Sequence, residues 1–243
     1  MGLPVVGKGD GVQKPRRFYK VVTVGEVDGG FGPLLDGRTP KTPAGRKLVV
    51  PTAALARVLA DEWDAQATEI DATQMPALRL AATALDRVGG VREEVADEVA
   101  RYAGSDLTCY RAEAPGSLVA AQSAAWDPLL GWAGDTLGVA LQPVSGIIHK
   151  AQPDASLTRV KALALALDDF GLTALAQAAG LLGSAVLALA LQRGRLDGQG
   201  AHDAARVDEA FQEERWGIDH DAAHRTALRL EETVLLEKWF RAL

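Results

Sequence analysis

The stretch LTALAQAAGLLGSAVLALAL, residues 172–191, decides how the chain is read. No charged residue occurs between Asp169 and Arg193, and the run is as long as the ~20 residues that span a bilayer. Its composition points elsewhere. Alanine dominates, Gly180 and Gly183 interrupt it, and Thr173, Gln177 and Ser184 are polar. Small residues of this kind let helices approach closely, so the run reads as a central helix buried in a soluble bundle. The competing reading is a membrane-embedded helix pair over residues 160–193.

Downstream and upstream of this run the pattern is helical. The spacing predicts helices over about 155–169, 174–193, 202–216 and 221–241, with Gly171, Gly194 and Gly217 as stop signals. Asp127-Pro128 reads as an N-cap followed by an N1 proline, opening a helix with Leu129, Leu130 and Trp132. Residues 91–103 form a helix with Val91, Val95 and Val99 on one face and Glu93, Glu94, Asp97 and Glu98 around it, a solvated acidic face. Thr52 is an N-cap. Leu55, Leu59 and Trp63 follow it as one apolar stripe, and Pro76 opens the next helix.

The N-terminal quarter has strand character instead. FYKVVTV (18–24), FGPLLDG (31–37) and RKLVVP (46–51) read as three short strands, with a turn at Asp28-Gly29-Gly30. The expected fold class is therefore α+β, a small antiparallel β-rich N-terminal domain followed by a mostly α-helical C-terminal bundle. The boundaries expected are a flexible tail over 1–14, the β-rich domain with its following helices over 15–88, and the helical domain over 89–243.

Composition narrows the function. The 243 residues hold 48% hydrophobic and 24% charged residues, ordinary for a folded protein. With 26 basic against 32 acidic residues the net charge is −6, which disfavours general binding to a nucleic-acid backbone. One cysteine, Cys109, excludes an internal disulfide and multi-cysteine metal sites. In SDLTCYRAE it reads as a buried packing residue. No phosphate loop, GxGxxG or GxSxG occurs. The opening residues match neither a secretory signal nor a mitochondrial presequence.

Two places retain candidate chemistry. His220 and His224, four apart, share a helix face and could hold a metal, with His202 and Asp219 as further ligands. The intervening residues are Asp221, Ala222 and Ala223, so the glutamate base of the zincin HExxH motif is missing, and Asp219 has a simpler role as an N-cap. A metal-dependent hydrolase is the alternative function on this reading. The other place is ARVDEAFQEERWG, 205–217. On a helix Glu209, Gln212 and Trp216 fall on one ridge, Asp208, Glu213 and Glu214 flank it, and Phe211 adds bulk. A carboxylate, an amide and an indole so arranged fit recognition of a partner protein. The plainer reading makes Trp216 a core residue and the acids solvated.

Five segments in order carry a resemblance: EWDAQ (62–66), ATALD (82–86), DLTCYR (106–111), WDPLLGWA (126–133) and RVDEAFQEERWG (206–217). Together they resemble the family of assembly chaperones of the F1 sector of ATP synthase, the members that handle the α subunit. The resemblance runs from about Arg17 to Trp216. It implies a non-enzymatic chaperone without cofactor that binds free α subunits and keeps them from aggregating until β subunits join. It also implies a β-rich N-terminal and a helical C-terminal domain. The family's functional glutamate falls on Glu209, with Asp208 one register away. Trp63 matches a tryptophan that matters for folding, and Asp86, Trp126 and Asp127 lie in the matching structural motifs. A free monomer in the bacterial cytoplasm, with no stable membrane insertion, is expected; the eukaryotic relatives belong to the mitochondrial matrix.

Overall fold

The computed structural model describes residues 14–146, 148, 150–217 and 220–243, with His220 described in its backbone alone. All but one residue of the expected tail, and Asp219 of the expected metal set, lie outside the described residues. The elements in chain order are β1 (Val22–Val27), β2 (Gly30–Leu35), α1 (Ala53–Asp64), α2 (Pro76–Asp86), α3 (Arg92–Gly104), β3 (Tyr110–Arg111), α4 (Gly116–Trp132), β4 (Val144–Ser145), α5 (Asp154–Leu165), α6 (Asp169–Leu182), α7 (Ala185–Gln192), α8 (Gly198–Ala205), α9 (Val207–Trp216) and α10 (His220–Ala242). A small antiparallel sheet followed by helices gives the α+β class. Two compact units form. One holds the residues through Val91 with Asp169–Thr173 and Lys238–Leu243; the other holds Arg92–Asp168 with Ala174–Glu237.

In the first unit β1 and β2 make a hairpin, in register from Val22 opposite Leu35 to Val27 opposite Gly30. Asp28 and Gly29 both take positive φ (49° and 84°), as the right-handed twist of a two-residue hairpin requires. The expected third strand over 46–51 is reduced to isolated bridges. Val50 exchanges both backbone hydrogen bonds with Phe31 (2.9 and 2.8 Å), and Lys41 bridges Lys47. The chain crosses β2 closely here: a Cβ on Gly30 would sit 2.8 Å from the Val50 carbonyl, and one on Gly32 2.7 Å from that of Leu48. Thr52 caps α1 by accepting from Leu55 N–H at 3.0 Å and itself donates to the Ala242 carbonyl. Leu55, Leu59 and Trp63 are all buried, and Trp63 packs with Tyr19, Leu35, Ile70 and Met75.

In the second unit the long apolar run departs from expectation. It is two helices, not one, because Gly183 turns left-handed (φ 66°) and Ser184 caps α7 by accepting from Leu187 N–H at 3.0 Å. Residues Ala185–Leu191 of α7 are all buried, at the centre of the bundle. Among the described residues, no helix is long and apolar enough to cross a membrane. The expected helix over 202–216 likewise breaks, at Arg206, and Gly171 lies inside α6 rather than at a stop. Pro128 is interior to α4, which starts twelve residues earlier at Gly116, so Asp127 is not an N-cap. The acidic face of α3 is exposed but engaged: Glu93 and Asp97 both pair with Lys161 of α5, at 2.9 and 2.7 Å.

Candidate functional site

Four of the five motifs are internal supports. In EWDAQ, the Glu62 carboxylate accepts from Ala77 and Leu78 N–H at 2.7 and 2.8 Å, satisfying the exposed donors at the start of α2. Burial pushes this carboxyl up to about 7, against the opposing pull of those two donors and Arg79. Trp63 meets Tyr19 edge to face, and its carbonyl accepts the Tyr19 hydroxyl at 2.6 Å. Gln66 donates to the Glu62 carbonyl and accepts from Asp71 N–H, at 3.1 and 2.7 Å. In ATALD, Asp86 accepts from the Thr42 hydroxyl at 2.7 Å and from Ala44 N–H at 3.1 Å, holding the loop that precedes the bridged segment.

In DLTCYR, Asp106 is fully buried and accepts four hydrogen bonds. They come from Ser184 Oγ (2.6 Å), Thr108 Oγ1 (2.8 Å), Thr108 N–H (3.1 Å) and Val186 N–H (3.1 Å). Burial raises its carboxyl above the ordinary value despite these donors. Cys109 is buried, and burial with the neighbouring Asp106 charge pushes its thiol up to about 12. A thiol held protonated in this way is inert as a nucleophile, which fits a packing residue. Arg111 pairs with Asp127 at 2.7 Å and lies over the Trp126 ring at 5.0 Å. Trp126, fully buried in α4, donates its indole N–H to the Ala204 carbonyl at 2.7 Å.

The fifth motif differs. Helix α9 packs on α4, yet none of its side chains is buried. Asp208, half-buried, accepts from Gln122 Nε2 of α4 at 2.7 Å. Glu213 pairs with Arg206 at 2.5 Å. Arg215 lies 3.9 Å over the Phe211 ring and donates to Ser117 Oγ at 3.1 Å. Glu209 and Gln212 are exposed and have no hydrogen bond or ion pair among the described residues. Trp216 is 77% exposed, so it is not a core residue. Glu209, Gln212 and Trp216 thus form an outward ridge, whereas Asp208 and Glu213 are occupied within the chain. Gln122 is the residue that sequence reasoning missed; the available signal was its place one helical turn before Trp126 in an alanine-rich run.

The expected metal set does not assemble in what is described. His202 is buried in α8, where burial lowers its pKa, and His224 is exposed on α10. Among the described residues no group of three or more His, Cys, Asp or Glu side chains could hold a metal ion.

Comparison with known proteins agrees with the family resemblance. Residues 16–134 match the family model described as ATP12 chaperone protein. The crystal structure of Atp12 from Paracoccus denitrificans is 41% identical, covers 94% of this chain and 98% of its own, and superposes with a TM-score of 0.87. Atu1473 from Agrobacterium tumefaciens is 40% identical over 94% of this chain and 86% of its own, with a TM-score of 0.89. The mitochondrial protein atp12 of Schizosaccharomyces pombe is 27% identical over 85% of this chain and 75% of its own length. This chain belongs to the ATP12 chaperone family, the chaperones of F1 ATP synthase assembly.

Proposed function

We propose that this protein binds the free α subunit of the F1 ATP synthase through the outward ridge of α9 and keeps it from aggregating until β joins. The observation that carries this reading is the set Glu209, Gln212 and Trp216, exposed together on a helix that buries none of its own side chains. An exposed tryptophan on one ridge with a carboxylate matches the aromatic anchors common at protein interfaces. A carboxylate with no internal partner among the described residues suits an arginine of the client.

The mechanism is surface masking and contains no chemical step. An isolated α subunit exposes the surface meant for β, and covering it lowers the concentration of the aggregating form by mass action. Release to β requires modest affinity, which a small polar ridge supplies while keeping specificity. The bacterial cytoplasm, where F1 assembles, fits the higher identity to the two bacterial relatives, 40–41% against 27% for the mitochondrial one.

Co-purification with the cognate α and β subunits, expressed separately, tests this. Free α should be retained and free β should not. Glu209→Lys should abolish most of the capture while leaving the thermal midpoint within ~2–3 °C, since the change is exposed and costs at most about 1 kcal/mol at the start of a helix. Normal capture by that variant, or no capture of α by the unaltered protein, would overturn the reading.

A further inference from the structure

A ten-residue helix is only marginally stable alone in water, and α9 half-buries Val207, Asp208, Phe211 and Glu213 but fully buries none of its side chains. It therefore depends on ties from outside. Two come from one face of α4, where Gln122 and Trp126 stand four residues apart and both are buried. Trp126 holds the Ala204 carbonyl in the last turn of α8, and Gln122 Nε2 holds Asp208 in the first turn of α9 at 2.7 Å. The corner between the two helices is Arg206, whose backbone (φ −120°, ψ 19°) belongs to neither. The two α4 side chains thus grip the chain on both sides of that corner.

The Gln122 amide has only one way to face. Its Oε1 accepts from Ala112 N–H at 2.8 Å, so its NH2 group is the end turned to Asp208. Both ends are satisfied and the side chain is 1% exposed. Successive residues on a helix lie about 100° apart, so fixing Asp208 against α4 turns Glu209 away from it.

We infer that Gln122 is a positioning residue for α9: its amide latches Asp208, sets the rotation of the helix, and thereby presents Glu209 outward. The two adjacent acids have separate roles, Asp208 inside the chaperone and Glu209 toward a client. The consequence for client binding rests on the function proposed above; the latch itself does not.

The test is a swap of donor and charge. Gln122→Glu sets a carboxylate against Asp208, whereas Gln122→Glu combined with Asp208→Asn restores one donor and one acceptor across the same gap. Amide hydrogen exchange of the free protein over residues 207–216 reads the latch directly. The single variant should exchange roughly tenfold faster there, and the double variant should return to within about twofold of the unaltered protein, the ordinary size of coupling between contacting polar groups. Asp208→Ala, which buries no charge, should also raise exchange in α9. Capture of free α subunit should follow the same order, lost in the single variant and regained in the double.

Unchanged exchange in Gln122→Glu and Asp208→Ala would overturn the latch. Faster exchange without recovery in the double variant would overturn the pairing of these two residues. Recovered exchange without recovered capture would show that Asp208 itself touches the client, and would overturn the division of roles. Failure of the unaltered protein to capture α would count against the proposed client while leaving the exchange result standing.

Discussion

Trp63→Arg should unfold the first unit far below the normal midpoint. The indole is 2% exposed, with Tyr19 edge to face at 5.7 Å and Leu35, Ile70 and Met75 around it. Removing a buried tryptophan costs about 3–5 kcal/mol from lost transfer and packing. The stem of arginine refills part of the volume, but a guanidinium placed there lacks a carboxylate among these core residues and adds several kcal/mol. A net loss of about 5 kcal/mol corresponds to roughly 10–20 °C in a chain of this size. Trp63→Phe is the informative companion. The indole N–H has no hydrogen-bond partner among the described residues, so phenylalanine forfeits packing volume and no hydrogen bond. It should cost only about 1–2 kcal/mol. Thermal unfolding followed by far-UV circular dichroism separates the two variants. An arginine variant that melts with the unaltered protein, or a phenylalanine variant as damaged as the arginine one, would refute the assignment of Trp63 as an apolar core residue.

Two further changes probe the buried acids. Asp106→Ala strips an acceptor from four donors, two of them backbone N–H groups, and should lower stability by about 3–5 kcal/mol. A urea midpoint equal to that of the unaltered protein would contradict this. Glu62 carries a pH signature. Its carboxyl sits at about 7 in the fold against 4.5 ordinarily, so the folded state holds more protons between those values. On its account stability is greatest below pH 4.5 and declines by at most about 3 kcal/mol as pH rises to 7. Glu62→Gln should flatten that decline, and parallel stability–pH curves for the two proteins would refute it.

Local signals in the sequence were legible wherever the residues that decide an element lie close together. Asp28-Gly29 dictates a hairpin turn, Thr52 caps the helix it precedes, and Pro76 starts α2, each through contacts within a few residues. Asp127-Pro128 misleads for the opposite reason. A proline at a helix start and one inside a helix look alike locally; here Gln122 and Trp126, buried upstream against distant partners, extend α4 through the proline. The break at Gly183 was likewise hidden, because glycine in an apolar run is compatible with a continuous helix until Ser184 finds its partner in Asp106, 78 residues away. Spacing placed Glu209, Gln212 and Trp216 on one ridge, but spacing alone does not say which side of α9 faces α4. That orientation is set by Gln122 and Asp208, 86 residues apart.

On the function proposed above, the distribution of the motifs bears on how a client would be exchanged. EWDAQ, ATALD, DLTCYR and WDPLLGWA hold helix starts, a loop and the α8–α9 corner, and their polar atoms are largely used within the chain. Among the described residues, only the last motif keeps a carboxylate and an amide without internal partners. Of the other four, WDPLLGWA, with Gln122 just upstream of it, fixes the corner from which α9 starts, and on the function proposed above few side chains remain to meet a client. A rigidly placed small ridge loses little conformational entropy on docking, so specificity is gained without a large buried area. The same economy limits affinity, and a client held by few contacts leaves readily when its permanent partner offers a larger interface. A loosened α9 would reverse both gains: the client would have to order the helix on binding, and the affinity would fall by the fraction of time the helix is correctly placed.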